Sequence, residues 1–229
     1  MRSSRLLTAA LAAGLIVTGS GLAAPLEDRI LSIDQYTTEK GRALGQKYAA
    51  ALGELNAGIY HCMPWVGVEK DGIGFFRPKH LDAAVRYLSL RITVDQAPSQ
   101  EFAQWPVERR ASAMFSRYVG PLVRRMTAAA GLLSDSMLDG FTVIIDWLKP
   151  LTSGAQPVTE TIAVFVEKRA VTDYLAGRAM TRDLAQRAAV FGYDGKTALG
   201  QLKVTGWEDN FVKTFQVANY KPEPGVTCR

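Results

Sequence analysis

Two cysteines and two histidines in 229 residues leave little material for thiol or metal chemistry. No Cys-x-x-Cys spacing occurs, so a thioredoxin-type redox pair is excluded. His-Glu-x-x-His, Gly-x-Ser-x-Gly and Ser-x-x-Lys are absent, which removes the common hydrolase signatures. No apolar run after residue 24 reaches the roughly 18 residues that a spanning helix needs. Internal repeats of 20–50 residues and low-complexity tracts are also missing, so solenoids and fibrous classes are not expected. Basic residues exceed acidic ones only modestly, at a formal +5, and aromatic residues do not interleave with the arginines. That argues against a nucleic-acid partner.

What the chain does have begins at residue 1. Arg2 and Arg5 precede the uncharged segment Leu6–Ala24, and Pro25 and Glu27-Asp28-Arg29 follow. This is the layout of a bacterial-type secretory leader, with Gly21-Leu22-Ala23 offering small residues for cleavage after Ala23. Loss of residues 1–23 leaves 206 residues and lowers the formal charge from +5 to +3. An uncleaved anchor is the competing reading of the 19-residue segment Leu6–Ala24. Its Ala, Gly and Thr content makes it a weak one. Periplasm or exterior is the expected location. In such an oxidising compartment Cys62 and Cys228 are expected to pair, fixing the tail to the end of the first long helix. Closing so long a loop contributes on the order of 4–5 kcal/mol through the entropy of the unfolded chain.

The pattern changes near Gly140. Leu44, Tyr48, Leu52, Leu55 and Ile59 form one stripe over Ile33–Tyr60, the expected first long helix. Gly41, Gly45 and Ala49 share a face and invite close approach by another element. His61 through Arg77 reads as an aromatic loop or short hairpin, with Pro64, Gly67, Gly72 and Gly74 as turn residues. A helix is expected after Pro78, with Leu81, Ala84, Val85, Leu88 and Ile92 inward. Ser99 suits the cap of a short turn before Trp105. Pro106 opens a helix with Val107, Met114, Tyr118, Leu122 and Met126 buried, and Pro121 should kink it.

From Phe141 alternation takes over. Strands are expected at Phe141–Leu148, Thr161–Glu167, Ala188–Tyr193 and Gln201–Trp207, with a turn at Asp194-Gly195-Lys196. Short helical turns flank Gly177, and Phe211–Val217 reads as a final strand or short helix. The expected fold class is therefore α+β, with N-terminal long helices packed on a mainly antiparallel C-terminal sheet. It is read as one domain over 24–229, helical over about 26–139 and sheet over about 140–220.

Candidate sites are sparse. Arg110, Arg117 and Arg124 recur every seven residues beside the buried stripe, a ridge able to meet an anionic lipid surface or an acidic envelope protein. Their stems can equally cover apolar surface at a boundary. Trp65, Phe75 and Phe76 are candidates for lining a pocket for an apolar small molecule. His61, Cys62 and His80 with Asp71 or Asp82 match no usual zinc spacing, and metal ligation would compete with the disulfide. No metal site is expected. Gly195-Lys196-Thr197 lacks the glycine that a phosphate loop requires at position 190, which is Val190. Neither a cofactor nor a catalytic set is assigned. Asp135 with Asp139, and Glu208 with Asp209, read as capping or solvated acids. The expected function is a secreted or periplasmic non-catalytic protein that binds an envelope component or an apolar small ligand. Alternatives are an extracytoplasmic hydrolase without a familiar motif and a membrane-tethered assembly factor that keeps its leader.

Overall fold

The structure is a computed structural model that describes residues 26–95, 99–149, 158–207 and Cys228. The leader, Glu208-Asp209 and Phe211–Val217 lie outside the described residues. Short 3-10 turns at Glu27–Arg29 and Ile33–Gln35 precede α1 (Glu39–Lys47) and α2 (Ala49–Cys62). Strands β1 (Val66–Phe76) and β2 (Tyr87–Val94) follow, then α3 (Gln100–Gln104), α4 (Val107–Met114), a π-helical turn (Phe115–Val119) and α5 (Gly120–Met126). The chain continues through β3 (Gly140–Leu148), β4 (Thr159–Glu167), α6 (Lys168–Leu175), α7 (Thr181–Gln186), β5 (Ala189–Asp194) and β6 (Thr197–Gln201). The six strands form one sheet in sequential order, antiparallel except for the β2–β3 pair. The α+β class holds, but the helices are short and the sheet is not confined to the C-terminal part.

Four expectations need correction, one of them the strand expected at Gln201–Trp207, since β6 runs Thr197–Gln201 and 202–207 carry no strand. The first long helix is two helices, broken at Tyr48, whose backbone (φ −108°, ψ 14°) leaves the helical basin. Thr38 caps α1 by accepting a hydrogen bond from the Gly41 N–H at 3.2 Å. The segment read as an aromatic loop is β1, an eleven-residue strand. Two of its glycines are sites of close approach: a Cβ on Gly72 would lie 2.9 Å from the Arg91 carbonyl, and one on Gly74 would lie 3.0 Å from Leu31 Cβ. The helix expected after Pro78 is instead β2. Leu88 and Ile92 are four apart, and that spacing puts residues on one face of a helix and of a strand alike. Leu90 and Val94, buried on the same side, complete the period-two set.

Pro121 sits just inside α5, and the irregularity it demands is taken up by the π turn before it. Of the expected stripe, Met114, Tyr118, Leu122 and Met126 are buried and Val107 is half-buried against the core. Close approach to Gly45 comes from the Tyr36 ring, which a Cβ there would meet at 2.7 Å.

The helices occupy one side of the sheet. Leu90, Val143, Val164 and Val190 form one cross-strand row facing them, and Ile92, Ile145 and Ile162 form the next. Arg110 of α4 reaches this face and forms a two-pronged ion pair with the buried Glu160. Glu160 also accepts from Trp147 Nε1 at 3.0 Å. After β6, the backbone N–H groups of Thr205 and Trp207 donate to the Ser112 and Ser116 hydroxyls at 2.9 and 3.0 Å. Two buried serines four apart on the helix thus fasten an extended segment.

Candidate binding groove

The opposite face of the sheet has the other parity. Its cross-strand rows are Ser89–Thr142–Phe165, Arg91–Ile144–Ala163–Phe191 and Thr93–Asp146–Thr161–Tyr193. The β1–β2 connection folds over it, placing the His80 ring 4.6 Å from Phe165 and 5.1 Å from Phe191 between centroids. Between loop and sheet lies an open groove of about 700 Å³, with no helical residue in its lining. Phe76, Ile144, Ala163, Phe165, Phe191 and Tyr193 supply the apolar surface. Lys70, Arg77, Lys79 and Arg91 supply positive charge, against Asp71 alone among acidic lining residues.

Polar groups on the groove floor divide into satisfied and unsatisfied. Arg91 Nε donates to Asp146 Oδ2 at 2.7 Å, and Thr161 Oγ1 donates to Asp146 Oδ1 at 2.5 Å. Asp146 raises the Arg91 pKa further above its already high ordinary value, so this cation does not titrate. Thr142 differs. It is 2 % exposed, lines the groove, and its hydroxyl has no hydrogen-bond partner among the described residues. An unmet buried hydroxyl costs about 1–3 kcal/mol. Such a group is uncommon in a folded protein, and its oxygen is closed off from the groove.

The expected site residues do not converge. Phe76 lines the groove, Phe75 is buried in the helix-side core, and Trp65 is exposed just before β1 with a left-handed φ of 61°. Arg110 is tied up with Glu160, Arg117 is half-buried, and Arg124 is exposed, with its guanidinium 4.8 Å from the Tyr174 ring centroid. These three arginines therefore do not form one exposed line. Cys62 and Cys228 are disulfide-bonded, with Cα atoms 5.4 Å apart. No group of three or more His, Cys, Asp or Glu side chains is placed to hold a metal among the described residues. Gly195 and Lys196 form the β5–β6 hairpin turn. Asp135 is buried and accepts from Lys47 Nζ, Tyr48 Oη and the Met137 N–H at 2.7, 2.9 and 2.8 Å. Asp139 accepts from Lys40 Nζ and the Arg86 N–H at 2.9 and 2.7 Å. Both acids are occupied in joining elements.

Sequence reasoning missed most of the groove because its residues are spread over β1 to β5, the β1–β2 loop and the turn at Gly195. The available signal was Thr142, Ile144 and Asp146, which alternate with a fully apolar set on β3 and so define a second, mixed face. No protein-family model, curated protein or solved structure matches the chain.

Proposed function

We propose that the protein is an exported, non-catalytic binding protein that holds a small amphipathic anion in the open-face groove. The open groove, with an aromatic floor and a basic rim, is the observation that carries this reading. A ligand with an apolar body suits Phe76, Phe165 and Phe191. An acidic end suits the excess of Lys70, Arg77 and Lys79 over Asp71, Arg91 being paired with Asp146. Export is supported by the disulfide, which fits an oxidising compartment, and by the leader-like pattern of residues 1–23. No helix among the described residues is long and apolar enough to cross a membrane.

The test uses 11-(dansylamino)undecanoate, a fluorescent fatty-acid analogue. The folded, oxidised protein should bind it saturably at one site. Phe165→Ala and Phe191→Ala should each weaken binding about tenfold, the equivalent of 1.4 kcal/mol, with unchanged circular dichroism. Absence of saturable binding, or unchanged affinity in the double variant, overturns the reading. Intact mass of the exported protein should lack residues 1–23; a full-length product would overturn cleavage.

A further inference from the structure

A second cavity, of about 410 Å³, lies between the segment leading into α1 and the end of β1. Arg86 is in its wall. This residue is 5 % exposed, yet no carboxylate pairs with its guanidinium among the described residues. Nε donates to Thr38 Oγ1 at 3.1 Å, and Nη1 donates to the carbonyls of Ala83 and Val85, each at 2.6 Å. Nη2 has no hydrogen bond among the described residues. The neighbouring Asp139 accepts from the neutral Arg86 backbone N–H and pairs with the Lys40 ammonium, so its charge is taken by Lys40 and not by the guanidinium. Arg77 adds another cation to the cavity, which has no acidic residue in its lining.

Burying a guanidinium without a counter-charge is costly, since neutral acceptors offset only part of the lost hydration. The remaining walls indicate what kind of anion would fit. Leu31, Tyr36, Phe75 and Phe76 are apolar, and Thr37 and Thr38 lie at the start of α1, where the helix dipole is positive. We propose that this cavity binds an organic carboxylate, its charge against Arg86 Nη2 and Arg77 and its apolar body against the aromatic wall. The site is distinct from the groove, although Phe76 and Arg77 border both.

Benzoate is the probe, with benzamide as its neutral isostere. In NMR titration of the wild-type protein, benzoate should bind saturably with Kd of about 1 mM or tighter. Shifts should centre on Thr37, Thr38 and Phe76, and benzamide should bind at least tenfold more weakly. Arg86→Lys keeps a charge but loses the planar fork, and should weaken benzoate at least fivefold; Arg77→Gln, at an exposed end of the cavity, provides a second variant expected to weaken it without touching the Arg86 contacts. Phe191→Ala should leave benzoate unaffected, which separates this site from the groove. Three outcomes overturn the proposal: no saturable shift, equal binding of benzamide, or shifts centred on Phe165 and Phe191.

Discussion

Thr142 illustrates how much one side chain can carry. It lies opposite Ser89 and Phe165 in the sheet, is almost fully covered, and its hydroxyl has no partner among the described residues. Replacing it by the isosteric valine removes the unmet hydroxyl, so Thr142→Val should stabilise the ligand-free protein by about 1–2 kcal/mol. For a chain of this size that is a rise in Tm of several degrees, read by calorimetry without ligand. A variant that is no more stable would mean the hydroxyl already has a partner. Arg110 gives the opposite lesson. Its place in the seven-residue ridge suggested surface, but Glu160, itself held by Trp147, draws it inward, and loss of Glu160 would strand a buried charge. Spacing along a helix gives direction only; what waits in that direction is set by another strand.

Elements here are joined by buried acids more than by long helices. Asp135, in the connection between α5 and β3, gathers Lys47 and Tyr48 from the α1–α2 junction. The Lys47 ammonium holds its carboxyl below the usual range, with the Met137 N–H and Tyr48 hydroxyl assisting against the opposing effect of burial. A depressed carboxyl stabilises the fold above its unfolded pKa of about 3.9. That contribution disappears as pH falls through this value toward the lower folded one. Thermal unfolding followed from about pH 6 to about pH 2 should therefore show a shallower acid limb in Asp135→Asn than in the wild type. Parallel curves would show that the Lys47 contact contributes nothing. At this scale the helices after Ser99 and around Gly177 and the β3, β4 and β5 strands were legible, because each carries its own period and its own cap or turn. β1 and β2 were not. Glycines serving close approach in β1 resemble turn residues, and the Leu88–Ile92 spacing is compatible with two periods.

Over the whole molecule, one disulfide spans 166 residues and ties the end of α2 to the second-to-last residue. In the chain-entropy account this contributes up to about 5 kcal/mol. A Cys62→Ala, Cys228→Ala variant should unfold at clearly lower denaturant while keeping most of its secondary structure. Wild-type protein under reductant should match it, and an unchanged midpoint would assign the bond no stabilising role. The helix layer on one face and the loop carrying His80 on the other create two unlike surfaces from a single sheet. The groove and the Arg86 cavity both depend on that division and meet at Phe76 and Arg77.

By itself, the sequence determined the α+β class, the pairing of the only two cysteines, the stripe of the Pro106 helix and most of the strands after Gly140. All of these are local periods or simple elimination. Tertiary structure alone decided that β1 and β2 join the sheet, that Arg110 is internal, and that Thr142 and Arg86 are buried without full partners. Those outcomes depend on which residues from distant segments share a face, and a one-dimensional pattern holds no information about the neighbour across the strand.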